Sequence, residues 1–183
     1  MNEQEREELQ RDIAYLKDRQ AILDCVSRHA RGHDRHDSEL ITSCYWEDGI
    51  DEHGNAINAG PRYAAWVNED HAKASILHTH NLSTHNCEID GDVAHCETYV
   101  IVGLLDHGGQ SARLISGRYV DRLERRKGEW KIALRRSIVD VAIAGDASMI
   151  TYLGDLGYTH GTWDRSDPSY VRPLEIGTPG VKW

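Results

Sequence analysis

Phenylalanine is absent from this 183-residue chain, cysteine occurs four times without a Cys-x-x-Cys pair, and no apolar run approaches membrane-spanning length. Positive charge is in deficit, 21 Lys and Arg against 30 Asp and Glu, for a formal net charge of -9. A surface of that sign repels phosphate backbones and anionic headgroups, and even RLERRKGEW alternates its signs, so neither nucleic acid nor a membrane is the expected partner. Cys25, Cys44, Cys87 and Cys96 have no knuckle spacing. Structural zinc and a secreted disulfide scaffold therefore lack support, and the expectation is small buried thiols in a reducing compartment. The opening MNEQEREELQRD is too charged for a secretory leader, and a cytoplasmic protein is expected. Three of the four prolines, Pro168, Pro173 and Pro179, fall in the tail. The five tryptophans and eight tyrosines suit a pocket for a ring-shaped ligand; in a chain this short the missing phenylalanine also has a chance explanation.

What is present fits one domain with extensions: 39% hydrophobic and 28% charged residues, ordinary for a globular chain of this length. Asn2 to Arg31 reads as helix, with Leu9, Ile13 and Leu16 on one stripe and Ile22, Val26 and His29 continuing it, Asp18 a candidate cap for a break and Gly32 the expected stop. His29 stands where an aliphatic core residue is expected. Asp37 should cap a short helix with Leu40, Ile41, Cys44 and Tyr45 inward. Gly49 to Gly60 reads as a hairpin around Gly54-Asn55, and Pro61 opens an amphipathic helix carrying Tyr63, Trp66 and Val67. From Ile76 the period changes to alternation, giving strands Ile76–Ile89, Val93–Asp106, Ala112–Arg125 and Trp130–Val141 in an antiparallel meander. Helices first and long strands last predict an α+β domain whose curved sheet wraps the helices and leaves a cone-shaped cavity. The tail from Gly145 has weak periodicity.

The strand ILHTHNLSTHNCEI carries three imidazoles. Alternation puts His78 and His80 on one face with Leu82, and His85 on the other unless a bulge resets the phase. An imidazole buried beside a carboxylate is a base poised near neutral pH, and the candidate carboxylate lies far upstream, at Asp34 within GHDRHD.

Four segments in order, DRQAILDCVSRHARGHDRHD, CYWEDGIDEHG, HTHNLSTHNCEIDGDVAHCETYV and GRYVDRLERRKGEWKIALRRSIVD, resemble the SnoaL-like branch of the NTF2-like, or cystatin-like cone, superfamily. That group includes dehydratases, a dehydrochlorinase and polyketide cyclases. The resemblance runs from about Asp18 to Asp140 and implies residues 1–17 as a helical extension, 18–142 as the domain and 143–183 as an extension packing on the domain or a neighbouring subunit. It implies that Asp34 orients His80 as the catalytic histidine and that Arg135 lines the pocket. His29 and His53 stand where some dehydratases place tyrosines, and Thr84 where the family often has asparagine.

These residue types allow proton abstraction. Asp34 would accept Nδ1–H of His80, so that Nε2 takes a carbon-bound proton, while Arg135, His29, His53, Tyr119 or Tyr99 stabilises the leaving group or enolate. Trp66 and Tyr45 complete the expected substrate-binding set. The alternatives remain structural: Asp34 as a turn former, His78-x-His80 with Asp34 as a metal site, Arg135 in a surface ion pair, since alternation sets it opposite Trp130, Ile132 and Leu134. The resulting expectation is a lyase, isomerase or cyclase without cofactor or metal, homo-oligomeric as a dimer or trimer, acting on a hydrophobic polycyclic or aromatic small molecule. A non-catalytic carrier and an assembly domain are the other two readings.

Overall fold

A computed structural model of the chain describes residues 1–177 and 180–183; Pro179 lies outside the described residues. Asn2 accepts the amide of Glu5 while the Glu5 carboxylate takes the amide of Asn2, a reciprocal cap that opens α1 (Glu3–Asp34). α1 is one unbroken helix. Asp18 does not cap a break; its carboxylate receives Arg125 Nη1 and Trp130 Nε1, tying the helix to the last hairpin. Residues 1–17 are all exposed, so the stripe of Leu9, Ile13 and Leu16 has no cover among the described residues, whereas Ile22, Cys25, Val26, His29 and His33 are buried.

Gly32 does not stop α1. Its missing Cβ would fall 2.6 Å from Ile41 Cγ1, so glycine serves there to let α2 (Ser38–Ser43) approach closely. The chain turns instead at His36, with φ 48°, and Asp37 then caps α2 through the Leu40 amide at 3.0 Å.

The hairpin around Gly54-Asn55 forms as expected, joining β1 (Tyr45–His53) and β2 (Ala56–Ala59). α3 (Gly60–Ala74) follows, with Pro61 in its first turn. β3 (Leu77–Asp90), β4 (Val93–Leu105), β5 (Ser111–Arg126) and β6 (Glu129–Asp146) are the meander. The six-stranded order is β2-β1-β6-β5-β4-β3, antiparallel except where β1 runs parallel to β6. The fold is therefore the α+β architecture read from the element order, a curved, mostly antiparallel sheet with helices against its concave face. Aliphatic and thiol side chains fill the closed end, among them Ile22, Cys25, Cys44, Cys87, Cys96, Leu123 and Ile132. The four cysteines are free and buried.

Bulges set which residues face inward. On β3 the register shifts between Leu82 and His85, so His85, Cys87 and Ile89 turn to the same face as His78 and His80. On β6, Leu123 pairs Ile132 while Arg122 pairs Leu134. The extra residue, Ala133, swings Arg135 onto the face of Trp130 and Ile132, against the expectation from strict alternation. A second shift opposite Ser116 and Gly117 deepens the curvature; a Cβ on Gly117 would sit 2.0 Å from the Ile138 carbonyl.

The tail is less irregular than its periodicity suggests. It forms α4 (Met149–Asp155) and a short 3-10 turn at Pro168–Tyr170, and it contacts the end of α1 through Arg35–Asp167 at 3.1 Å and through Trp163 stacked on His36.

Candidate active site

β3 enters the cavity at its N-terminal end, and α1 delivers Asp34 to the same point as its last helical residue. Carboxylates at a helix C-terminus are disfavoured by the macrodipole, and here the backbone of β3 compensates. The His80 amide donates to both Asp34 oxygens at 2.9 and 3.0 Å, and the ring Nδ1–H donates to Oδ1 at 2.7 Å. Both side chains are largely enclosed, 4% exposed for His80 and 16% for Asp34. The second ring nitrogen, Nε2, is left free of Asp34, and His80 lines a cavity of about 120 Å³. The other walls are His53, His71, Tyr119 and Ser137, with Val100, Val102, Leu104, Ile115, Gly117, Ile138 and Val139.

Behind that wall a hydrogen-bonded chain runs from Asp121 to Asp51. Arg135, fully buried, donates to both Asp121 oxygens at 2.8 and 2.6 Å and through Nη1 to His29 Nδ1 at 2.8 Å. A guanidinium only donates, so His29 Nδ1 must accept and Nε2 must carry the proton. His29 Nε2–H then reaches the Tyr45 oxygen at 3.1 Å, and the Tyr45 hydroxyl donates to Asp51 Oδ2 at 2.7 Å. Asp51 faces His53 at 3.5 Å, and His53 Nδ1 also meets Ser137 Oγ at 3.2 Å. One fixed proton order thus runs from Asp121 to Asp51, whose Oδ1, on the side of His53, has no hydrogen-bond partner among the described residues.

Electrostatics follow the burial. Desolvation, then the charge of Arg135, pushes His29 well below the ordinary imidazole range, and desolvation does the same to His33. Burial opposes the charge on Arg135, yet Asp121 beside it holds the guanidinium protonated. Burial raises Tyr119, so its phenol stays protonated at neutral pH; the Arg135 guanidinium carbon lies 4.1 Å from its ring centre.

The structure brings His80, His53 and Tyr119 to the cavity, with Asp34 backing His80 from outside the lining. Arg135, His29 and Tyr45 sit one layer behind it, with the Arg135 guanidinium engaged by Asp121 and His29, so none of these three touches the cavity. Trp66 packs against His53, ring centres 5.8 Å apart, outside the lining. Tyr99 is a correction: it is 39% exposed on the outer face of β4 near Arg118, because strand alternation sets it with His95 and Glu97, opposite Thr98. Sequence reasoning missed Asp121, Asp51, Ser137 and His71. The stripe Tyr63-Val67-His71, at i, i+4 and i+8 on α3, was a legible signal for the last of these.

A family model described as SnoaL-like domain matches residues 14–136. No curated protein matches the chain. Among solved structures, Rv3472 of Mycobacterium tuberculosis, a protein of unknown function, is similar at 27% identity and TM-score 0.61, covering 70% of this chain and 75% of that one. Hexachlorocyclohexane dehydrochlorinase LinA-type3 from Novosphingobium barchaimii LL02 is similar at 23% identity and TM-score 0.68, covering 73% and 94%. The LinA Type2 dehydrochlorinase is similar at 22% identity and TM-score 0.68, covering 73% and 93%.

Proposed function

The chain belongs to the SnoaL-like domain family, and from that premise we propose that it is a general-base lyase, eliminating water or halide from a hydrophobic cyclic small molecule, with isomerisation or cyclisation as the related outcomes of the same proton abstraction. The observation that carries the reading is the 2.7 Å hydrogen bond from His80 Nδ1 to Asp34 at the wall of an apolar cavity. Asp34 fixes the tautomer and stabilises the imidazolium, so Nε2 removes a carbon-bound proton and the C–H pair becomes the new double bond as the leaving group departs. Positioned base catalysis of this kind contributes about 10²- to 10⁴-fold. No organic cofactor takes part in these steps.

Arg135 acts indirectly in this reading. Its charge lies against the Tyr119 ring and at the head of the hydrogen-bonded chain that ends at Asp51, so it positions the Tyr119 donor that faces the departing group. Tyr119, whose hydroxyl makes no hydrogen bond among the described residues, is the donor nearest in kind to what a leaving hydroxide or halide needs.

The cavity of about 120 Å³ is close to the 150 Å³ engineered cavity that accepts benzene, which favours a single ring within the expected class of polycyclic or aromatic ligands. The dehydrochlorinase neighbours, named for a chlorinated cyclohexane, agree with that size. Exposed Leu114, Val139, Val141 and Ile143 at the far end of β5 and β6 support a homo-oligomer, dimer or trimer, which light scattering tests.

The test of the function is turnover. Ring compounds bearing a leaving group anti to an acidic C–H, polychlorinated cyclohexanes and β-hydroxy ketones, are incubated with the chain, following halide release or new ultraviolet absorbance. Turnover that His80→Gln reduces by at least about 10²-fold supports the reading. Turnover unaffected by that change, or binding with no turnover across the panel, would sink it, the latter in favour of a carrier.

A further inference from the structure

Beside the dyad, and using neither of its side chains, three imidazoles from three separate elements converge. His36 comes from the turn after α1, His71 from the last turn of α3 and His78 from the start of β3. Ring centres of His71 and His78 are 4.2 Å apart and those of His36 and His78 5.3 Å. One ligating atom from each residue lies within 4.8 Å of the others.

Each of the three carries a buried ring nitrogen with no hydrogen-bond partner among the described residues: His36 Nε2, His71 Nδ1 and His78 Nδ1. Buried polar atoms are almost always satisfied, and each of these nitrogens, in the tautomer whose proton sits on the other ring atom, offers a lone pair that a metal ion would take. The tautomer of His78 is already suited to this. Its Nε2–H donates to the His33 carbonyl at 2.8 Å, which leaves the Nδ1 lone pair open, the outer-shell arrangement that orients metal-binding imidazoles. His36 is held just as firmly. Its φ of 48° is uncommon for a non-glycine residue, and Trp163 stacks on its ring at 3.9 Å and 12°, the kind of local strain that accompanies a functional constraint.

We propose that His36, His71 and His78 form a three-imidazole site for a divalent transition-metal ion, with zinc the ion whose ligand preference the set matches. The ion ties the turn after α1, α3 and β3 together at the cavity's edge. This departs from the sequence-based expectation of no metal. Three other groupings lie within the same spacing among the described residues. Asp34, His78 and His80, the set weighed from the sequence, has its carboxylate already taken by the His80 amide and ring. His33, His71 and His80 would consume the free nitrogen of the dyad. His85, Cys87 and Cys96 sit further along β3 and β4, where His85 Nδ1 is already engaged by Thr98 at 2.8 Å.

The test uses the full chain, stripped with a chelator and titrated with Zn²⁺ by calorimetry and Co²⁺ by visible absorption. One ion per chain is expected, with a rise in Tm of about 5–10 °C at a hundredfold excess over Kd. Loss of an outer-shell partner costs about 10- to 100-fold in affinity, so His36→Gln, His71→Gln and His78→Gln should each weaken binding by more than about 100-fold, while His80→Gln and Cys87→Ala change it less than about tenfold. Circular dichroism checks that each variant is folded. Imidazole ¹⁵N resonances of the unsubstituted chain give a second readout, and those of His36, His71 and His78 should move on addition of Zn²⁺. The site is overturned by no stoichiometric binding, by binding that survives all three glutamine changes, by loss of binding in His80→Gln or Cys87→Ala, by a thiolate charge-transfer band with Co²⁺, or by movement confined to other histidines.

Discussion

Asp34 holds His80 by two different handles, the ring Nδ1–H at 2.7 Å and the backbone amide at 2.9 and 3.0 Å. One contact sets a tautomer and the other closes the end of α1 onto β3. Asparagine and alanine separate these roles. Asp34→Asn keeps an oxygen for the amide and loses the charge that stabilises an imidazolium, so we expect turnover to fall by about 10²- to 10⁴-fold with little change in Tm. Asp34→Ala should lose both, with a further destabilisation of about 1–3 kcal/mol for the unpaired amide and ring. Equal loss of Tm in both variants would mean that the carboxylate is only a tether. Rates and thermal unfolding on the same preparations decide it.

Arg135 and Asp121 are both fully buried and bonded face to face, so removing one strands the other. Breaking a buried pair costs about 3–5 kcal/mol. At about 2–4 °C per kcal/mol for a chain of this size, Asp121→Asn should lower Tm by roughly 6–20 °C. The double change Asp121→Leu with Arg135→Met should be less destabilising than either single change, because no charge is left without a partner. If Asp121→Asn unfolds at the unsubstituted Tm, the pair is not what holds this layer together.

Much of this was legible, and the limits are physical. Strand alternation, a local property, put His80 on one face with His78, while its pairing with Asp34 came from the family resemblance and the end of α1 was expected at Gly32, short of Asp34. The face of Arg135 could not, because a single inserted residue, Ala133, reverses it, and bulges depend on how a strand meets its partner. Tyr99 was expected as a donor on its residue type, whereas strand alternation sets it with Glu97 and His95 on the outer face. The helix in the tail has weak sequence periodicity because contacts from outside it, such as Trp183 Cβ near Gly154, help fix its place. His71 fell between the two levels, its stripe visible but its four imidazole neighbours, His33, His36, His78 and His80, visible only in three dimensions.

His29 and His33 are buried as neutral imidazoles, both held well below their usual value of 6.5, chiefly by desolvation. The folded chain does not take up these protons where the unfolded chain does. Above about pH 6.5 both states are neutral at these rings and there is no effect; below it the unfolded state gains, by up to about 1.4 kcal/mol per pH unit for each ring. With chelator present, urea midpoints should be flat from pH 8 to 7 and fall steadily from about pH 6.5 downward. His33→Phe should shallow that fall by about one proton. A midpoint unchanged between pH 7 and 5 would contradict the buried neutral assignment.

Gly117 shows how narrowly the cavity is built. Its Cα lies in the wall opposite β6, and an added methyl would meet the Ile138 carbonyl at 2.0 Å, a backbone atom that moves only with its strand. Overpacking typically costs about 1–3 kcal/mol, occasionally more, so Gly117→Ala should destabilise by at least that and displace Ile138, itself a cavity residue. Ile115→Ala does the opposite, removing volume from the wall without touching the backbone. We expect it to cost about 2–5 kcal/mol and to shift preference from single-ring towards fused-ring substrates. Relative kcat/KM values for a one-ring and a two-ring substrate check this. An unchanged ratio would show that the ring reacts outside the space between β4, β5 and β6, and that His80 meets its substrate from another side.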